Sequence, residues 1–221
     1  MASENIENYL KNIFKIQEEE GRVTTTSLSH RLQISAASVS EMIRKLAEEG
    51  HVKHTPYKGV QLTVEGRKKA LRIIRRHRLW ELFLVEVLKY DWDEIDEEAE
   101  RLEHMTSERL EQRIDQILGY PSRDPHGHAI PTAEGRLAED KHTPLAALTP
   151  GVSGIVSRVS DESPEILKYA ARLGIVLGSR MKVKERVEFD GSLRVAVNGR
   201  EQFVSSKLAR HVYVGKVRRE M

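Results

Sequence analysis

Between Arg67 and Arg78 the chain places seven Lys/Arg and no carboxylate, and it then turns apolar through Leu79, Trp80, Leu82, Phe83, Leu84, Val85, Val87 and Leu88. The spacing reads as one long helix over residues 64–90. A helix apolar nearly all round cannot be covered by one neighbour, so its end must lie inside a bundle or at a subunit interface. Eight carboxylates against one Arg follow between Asp91 and His104, in helices read at about 93–105 and 107–118. A basic helix feeding an acidic one implies two different jobs in neighbouring segments.

Upstream, Ile6, Tyr9, Leu10, Ile13, Phe14 and Ile16 give residues 1–20 a helical stripe. Thr24-Thr25-Thr26-Ser27 offers caps for a short helix carrying Leu28 and Leu32. Ser35 caps a third helix with Val39, Met42, Ile43 and Leu46 on one side, and Gly50 ends it. Two short alternating strands, 51–54 and 60–63, flank Pro56-Tyr57-Lys58-Gly59. This order is that of a winged helix–turn–helix, whose second helix enters the major groove.

The third helix opens with small residues that let the backbone approach DNA. Ser35, Ala37, Ser38, Ser40 and Glu41 lie along it, with hydroxyls and helix N–H groups suited to phosphate. Arg44, Lys53, His54 and Lys58 supply charge. A winged helix used for protein contacts, or an ordinary helical domain, is the plainer alternative. Residues 1–66 hold eight Lys/Arg and nine Asp/Glu. Non-specific DNA affinity should therefore be modest, and a dimer or a ligand is needed to raise it.

Residues 121–150 hold five of the seven prolines and read as a linker, partly ordered at best. Beyond it the texture is β, with 154–156, 181–183, 193–197 and 211–214 as strands and a helix near 164–173; a small β-barrel closes such strands naturally. The fold class expected is mainly α with small β, in three domains at 1–65, 66–142 and 143–221. With no cysteine, thiolate metal sites and disulfides are excluded. No eighteen-residue apolar run and no signal-like N-terminus appear, so no membrane association and a cytoplasmic location are expected.

Two ligand clusters stand out. His77 and Glu81 sit at i and i+4 of the long helix, and Glu100, Glu103 and His104 at i, i+3 and i+4 of the next. Alone, each reads as a helix histidine or a solvated acidic face. Together they offer imidazole and carboxylate without sulfur, which suits Mn(II) or Fe(II), with Zn(II) also open. Leu102 and Met105 beside them must face a core, where crowded carboxylates are costly without a cation.

The combination resembles the metal-dependent repressors of the diphtheria toxin repressor and manganese transport regulator family, in their three-domain form. The resemblance rests on Glu7-Asn8-Tyr9-Leu10-Lys11-Asn12-Ile13-Phe14, Arg76-His77-Arg78-Leu79-Trp80-Glu81, Glu98-Ala99-Glu100-Arg101-Leu102-Glu103-His104 and Asp124-Pro125-His126-Gly127 with Ile130-Pro131. It implies a barrel of the Src-homology type at the C-terminus, and an activating site from Asn8, Glu100, Glu103 and His104. It also implies a second site from His77 and Glu81, completed by Asp124, His126 and Asp161 or Glu162, with Asp96 a further candidate. His128 and His142 are left to solvated linker. Asn8 stands where iron sensors carry Met and manganese sensors Asp. Lys11 stands where the two-domain manganese sensors carry Glu, which tells against their dinuclear arrangement. Ser35, Ala37 and Glu41 fall nearest the bases, with Glu41 in place of an expected Gln.

The function so implied is a repressor of metal-ion homeostasis that takes Mn(II) or Fe(II) at two sites per chain. It would bind double-stranded operator DNA as a homodimer, with half-sites about 34 Å apart. It would have no small-molecule substrate and no enzymatic activity. Without an ion the acid cluster is expected to repel itself and leave the first helix poorly tethered; Glu103→Gln is expected to abolish the metal response with the fold intact. The alternatives are a metallohydrolase, since Glu100-x-x-Glu103-His104 looks superficially like a zinc-peptidase motif, and a metal-independent regulator whose barrel binds protein.

Overall fold

The computed structural model describes residues 2–55, 59–138 and 142–219. The chain divides into two compact units. One comprises Met1–His77, Arg101–Glu108 and Pro131–Leu137; the other comprises Arg78–Glu100, Arg109–Ile130 and Ala138–Met221.

In the first unit, α1 (Ala2–Glu20), α2 (Thr25–Leu32) and α3 (Ala36–Glu48) precede the antiparallel pair β1 (Val52–Thr55) and β2 (Gly59–Leu62). Thr24 and Ser27 close a reciprocal capping box on α2, and the Ser35 hydroxyl accepts from the Ser38 N–H to start α3. The apolar stripes then meet. Leu10, Ile13 and Phe14 of α1 share one core with Leu28, Val39, Ile43 and Leu46, and with Ala70, Leu71 and Ile74 of α4 (Val64–Glu86). Thr63 caps α4, accepting from the Gly66 N–H while its hydroxyl donates to the Gly50 carbonyl. Gly66 runs so close to strand β1 that a Cβ there would lie 2.0 Å from the His51 carbonyl oxygen. The winged helix–turn–helix order is thus present.

In the second unit, Leu79 and Leu82 pack with Ile114 and Ile130, and Leu84 packs with Ile95 and Ala99. These come from α4, from α5 (Asp96–Glu103) and the residue just before it, from α6 (Glu108–Ile117), and from the segment after α6. The C-terminal part is a six-stranded antiparallel sheet in the order β3-β8-β4-β5-β6-β7, built from β3 (Thr143–Pro144), β4 (Val152–Val159), β5 (Arg180–Arg186), β6 (Leu193–Val197), β7 (Arg200–Val204) and β8 (Val212–Arg219). Val156, Val183, Val195, Val204 and Val214 fill its core against α7 (Pro164–Arg172) and α8 (Ser206–His211).

Three expectations need correction. Helix α4 ends at Glu86 rather than at 90, and Lys89 takes a left-handed φ of 63°. Strand β7 and helix α8 are additional to the elements read from sequence. Residues 121–137 are not loose linker: Arg123 and Ala129 form a β-bridge, and Asp124, His126 and Ile130 are buried. Among the described residues no helix is long and apolar enough to cross a membrane.

His51 is buried where α3, β1 and α4 join, with its Nε2 2.8 Å from Lys69 Nζ and 3.7 Å from Glu49 Oε2. Burial, and then the Lys69 charge, push its pKa below the ordinary 6.5, against the weaker pull of Glu49 and Glu65. The unfolded chain therefore takes up this proton first on acidification. The stability that neutral His51 contributes is complete above about pH 6.5 and falls as the pH drops below it. In His51→Gln, the slope of unfolding free energy against pH in that window, measured by urea denaturation, should flatten.

Candidate metal centres and DNA-reading helix

One cluster lies wholly in the first unit. Glu7, Asn8 and Lys11 share a face of α1 at i, i+1 and i+4. The His104 ring is held on both sides, its Nδ1 2.7 Å from Glu7 Oε2 and its Nε2 2.9 Å from Asn8 Oδ1. Glu103 is fully buried. Its Oε1 accepts from Lys11 Nζ at 2.6 Å and its Oε2 lies 2.5 Å from His77 Nδ1. Burial alone would raise the Glu103 pKa; the His77 hydrogen bond and the Lys11 charge outweigh it and hold the carboxyl below its usual range. Glu100 sits one turn before Glu103 on the same face of α5 and is half-buried.

The structure thus brings Asn8, His77, Glu103 and His104 together, and it adds Glu7 and Lys11. The expected self-repelling acid cluster is corrected: Lys11 already neutralises Glu103, and three side chains of α1 reach residues 103 and 104. The i, i+1, i+4 spacing of Glu7, Asn8 and Lys11 puts them on one face of α1 but does not say which distant residues that face meets.

A second cluster lies wholly in the second unit. Asp124 Oδ1 accepts the backbone N–H groups of His126 and His128, each at 2.9 Å, and so folds the Asp124–His128 turn around itself. Gly127 is required there: its φ is +93°, and a Cβ would lie 2.1 Å from the Ser157 carbonyl oxygen. The Val159 N–H donates to the His126 carbonyl, fastening the turn to β4. Asp124 Oδ2 faces His128 Nδ1 at 3.2 Å and Arg78 Nε at 3.5 Å. Burial works against the Asp124 charge, but His128, Arg78 and His126 together lower its pKa to about 2.

The His126 ring is wholly buried beside Trp92, with ring centroids 5.6 Å apart, and its Nε2 stands 3.6 Å from Glu81 Oε1. Neither His126 ring nitrogen makes a hydrogen bond, nor does Asp124 Oδ2. A carboxylate oxygen of Asp96 lies within 4.8 Å of one of Glu81. His128 Nε2 is 3.8 Å from Asp161 Oδ1, so His128 belongs to this cluster rather than to solvated linker. His142 is likewise placed, its Nδ1 2.7 Å from the Ser157 hydroxyl. Glu162 instead pairs with His211 at 3.5 Å.

On the reading helix, Ser35, Ala37, Ser38, Ser40, Glu41 and Arg44 are all exposed, while Val39, Ile43 and Leu46 face the core. The Ser40 hydroxyl donates to the Ala36 carbonyl, and the Ser35 and Ser38 hydroxyls share a 2.9 Å hydrogen bond. Lys53 is exposed on β1; Lys58 lies outside the described residues.

A winged helix followed by a helical segment rich in buried imidazole and carboxylate defines a DNA-binding protein with a metal-type centre. Family models agree: the iron dependent repressor N-terminal DNA binding domain matches residues 1–60, its metal binding and dimerisation domain residues 63–132, and the FeoA domain residues 143–216. A solved manganese-dependent transcriptional repressor in complex with manganese is 45% identical, with a TM-score of 0.89 over 95% of this chain and 98% of that one. The manganese regulator SloR is 33% identical, with a TM-score of 0.78 over 97% and 98%. The iron-dependent repressor IdeR of Mycobacterium leprae is 29% identical over 96% of each chain. The chain belongs to this iron-dependent repressor family of metal-dependent transcriptional repressors.

The Lys11–Glu103 pair also corrects the expectation for Glu103→Gln. Removing the anion that faces a buried ammonium should destabilise the first unit by about 3–5 kcal/mol. Lys11→Met combined with Glu103→Gln should recover most of the loss. Chemical denaturation of the two variants beside the parent checks this.

Proposed function

We propose that this repressor responds to Mn(II) or Fe(II) at two sites per chain and binds double-stranded operator DNA as a homodimer. The observation that carries the reading is His126: a wholly buried imidazole with both ring nitrogens lacking hydrogen bonds, set among Glu81, Asp124 and His128. Leaving buried polar atoms unsatisfied is expensive, about 1–3 kcal/mol for each group. An ion accepted by Glu81, Asp124 and His126, with Asp161 and His128 at the edge, removes that cost. The nitrogen and oxygen donors fit Mn(II) and Fe(II). The other site would use Asn8, Glu100, Glu103 and His104, with His77 beside Glu103.

A bound divalent ion supplies positive charge and a coordination shell for these donors. The rest follows from the chain's own residues. One side of α1 carries Asn8 and Lys11; Leu10, Ile13 and Phe14 share a core with Val39, Ile43 and Leu46 of the reading helix. A change in how Asn8 and His104 are held is therefore felt by α3 through packed side chains. At α3, Ser35, Ala37 and Ser38 approach the DNA; Ser40, Glu41 and Arg44 continue the reading face, and Lys53 follows the phosphates. Val87, Leu88, Tyr90, Ile117 and Tyr120 are large apolar side chains left exposed in the second unit, and they suit burial against a second copy.

The hydrolase alternative fares worse. A metallohydrolase needs a general base with access to substrate. Glu103, the carboxylate beside His104, is fully buried with both oxygens engaged by Lys11 and His77.

Fluorescence anisotropy on an operator fragment should show binding tighter by about 5–150-fold in Mn(II) than in chelator, the usual span of allosteric coupling. Equal binding in both would leave a metal-independent regulator. Elemental analysis should find two ions per chain in the parent and one in the Glu81→Gln, His126→Gln double variant.

A further inference from the structure

Helix α3 carries one charge that phosphate binding does not explain. Glu41 stands two residues after Val39 and two before Ile43, both of them buried. It therefore lies about 200° round the helix axis from each, opposite the core. It is exposed, and among the described residues its carboxylate makes no hydrogen bond or ion pair. One turn earlier comes Ala37, also exposed and too short to compete for the same space. One turn later come Arg44 and Lys45, both exposed. They stand about 60° to one side of Glu41 and about 40° to the other. The outer face of α3 thus presents an anion on its midline, with a cation on each flank.

A major groove has phosphates along both walls and base edges on its floor. The flanking cations suit the walls, and the floor is the place left for the carboxylate. A carboxylate only accepts hydrogen bonds. Guanine O6 and N7, adenine N7 and thymine O4 are acceptors and repel it; the donors are cytosine N4 and adenine N6. Adenine N6 lies between its own N7 and the O4 of the paired thymine, so it has an acceptor on each side. Cytosine N4 has an acceptor, the guanine O6, on one side only.

We infer that Glu41 is a specificity-determining residue that selects a cytosine in each operator half-site, accepting from its N4 group. The inference rests on the proposed reading role of α3. Much of the selection is a penalty on wrong sequences. Where no cytosine meets Glu41, an ionised carboxylate gives up its water at the groove floor and receives no adequate partner. Ala37 and the serines before it impose no such penalty, since small and hydroxyl side chains fit beside any base.

The test uses the full chain in Mn(II) and a pool of randomised double-stranded oligonucleotides, with the bound fraction sequenced after each round. The parent should enrich cytosine at one position of each half-site. Glu41→Ala should leave that position degenerate and the others unchanged. Glu41→Gln should turn it to adenine, because an amide both accepts from N6 and donates to N7. On a duplex of the enriched sequence, replacing that C·G pair by T·A should weaken the parent by about 5–150-fold per half-site, the usual cost of one mismatched pair, and should leave Glu41→Ala nearly unaffected.

The same preferences at every position in Glu41→Ala overturn the inference. So does a Glu41→Ala that binds every duplex more tightly by one common factor, since the carboxylate is then a uniform repulsion and reads nothing. A position lost in Glu41→Ala that was guanine, adenine or thymine in the parent overturns it as well. Failure of α3 as the reader shows separately: Ala37→Trp, which places bulk on the same midline, then leaves DNA binding unchanged, and the inference falls with it.

Discussion

The contact between Lys11, Glu103 and His77 is the constraint on which the first unit turns. Each partner comes from a different stretch of sequence: α1, the end of α5 and the middle of α4. A buried carboxylate flanked by an ammonium and an imidazole tolerates little displacement, because any gap leaves a charge without water and without a partner. The triad therefore fixes where α1 lies along α4. The shared core of Leu10, Ile13, Phe14, Val39 and Ile43 then fixes where the reading helix lies along α1. The apolar core supplies the bulk of the stability, and the polar triad supplies the register.

The basic run of α4 finds its explanation in the same terms. Arg75 donates to the Pro131 carbonyl at 2.7 Å, and Arg78 donates to the Ala129 carbonyl at 2.6 Å while facing Asp124. Arg67 lies over the Phe14 ring and reaches Glu18, and Arg72 pairs with Glu108. Arg67 and Arg72 make their pairs at the surface; the Arg75 and Arg78 guanidiniums are used inside the protein, where their fixed planar forks can satisfy backbone carbonyls that no helix or strand serves. That is why residues 123–131 after α6 are held in place. Their carbonyls are bound from α4 and their N–H groups are bound by Asp124.

The winged helix was legible from residue order, down to the caps at Thr24 and Ser35, because capping chemistry and apolar spacing are local. Glu103 and His104 were legible as a pair from their helical spacing, but His77, expected to share a second site with Glu81, lies against Glu103 instead. What escaped was non-local. Nothing near residue 11 says that Lys11 will lie 2.6 Å from a carboxylate 92 positions away. His128 looked like linker polarity, since proline and glycine on either side suggest a loose chain; in fact Pro125 and Gly127 shape a turn whose N–H groups close on Asp124. Strand β7 was missed because Arg200-Glu201-Gln202-Phe203-Val204 has little apolar alternation. It forms because β6 offers it a complete ladder from Leu193↔Val204 to Val197↔Arg200.

A charge balance that looks unhelpful for a DNA-binding domain makes sense for a switch. With eight Lys/Arg against nine Asp/Glu in residues 1–66, the reader gains little from phosphate neutralisation alone. A coupling of about 1–3 kcal/mol can turn binding on and off only where binding without the ligand is near its threshold. A strongly basic reader would stay on DNA whatever the state of the ion sites. By using Arg75 and Arg78 internally and presenting serines, Ala37 and Glu41 on α3, the chain keeps basal affinity low. A small change in how α1 is held can then decide occupancy.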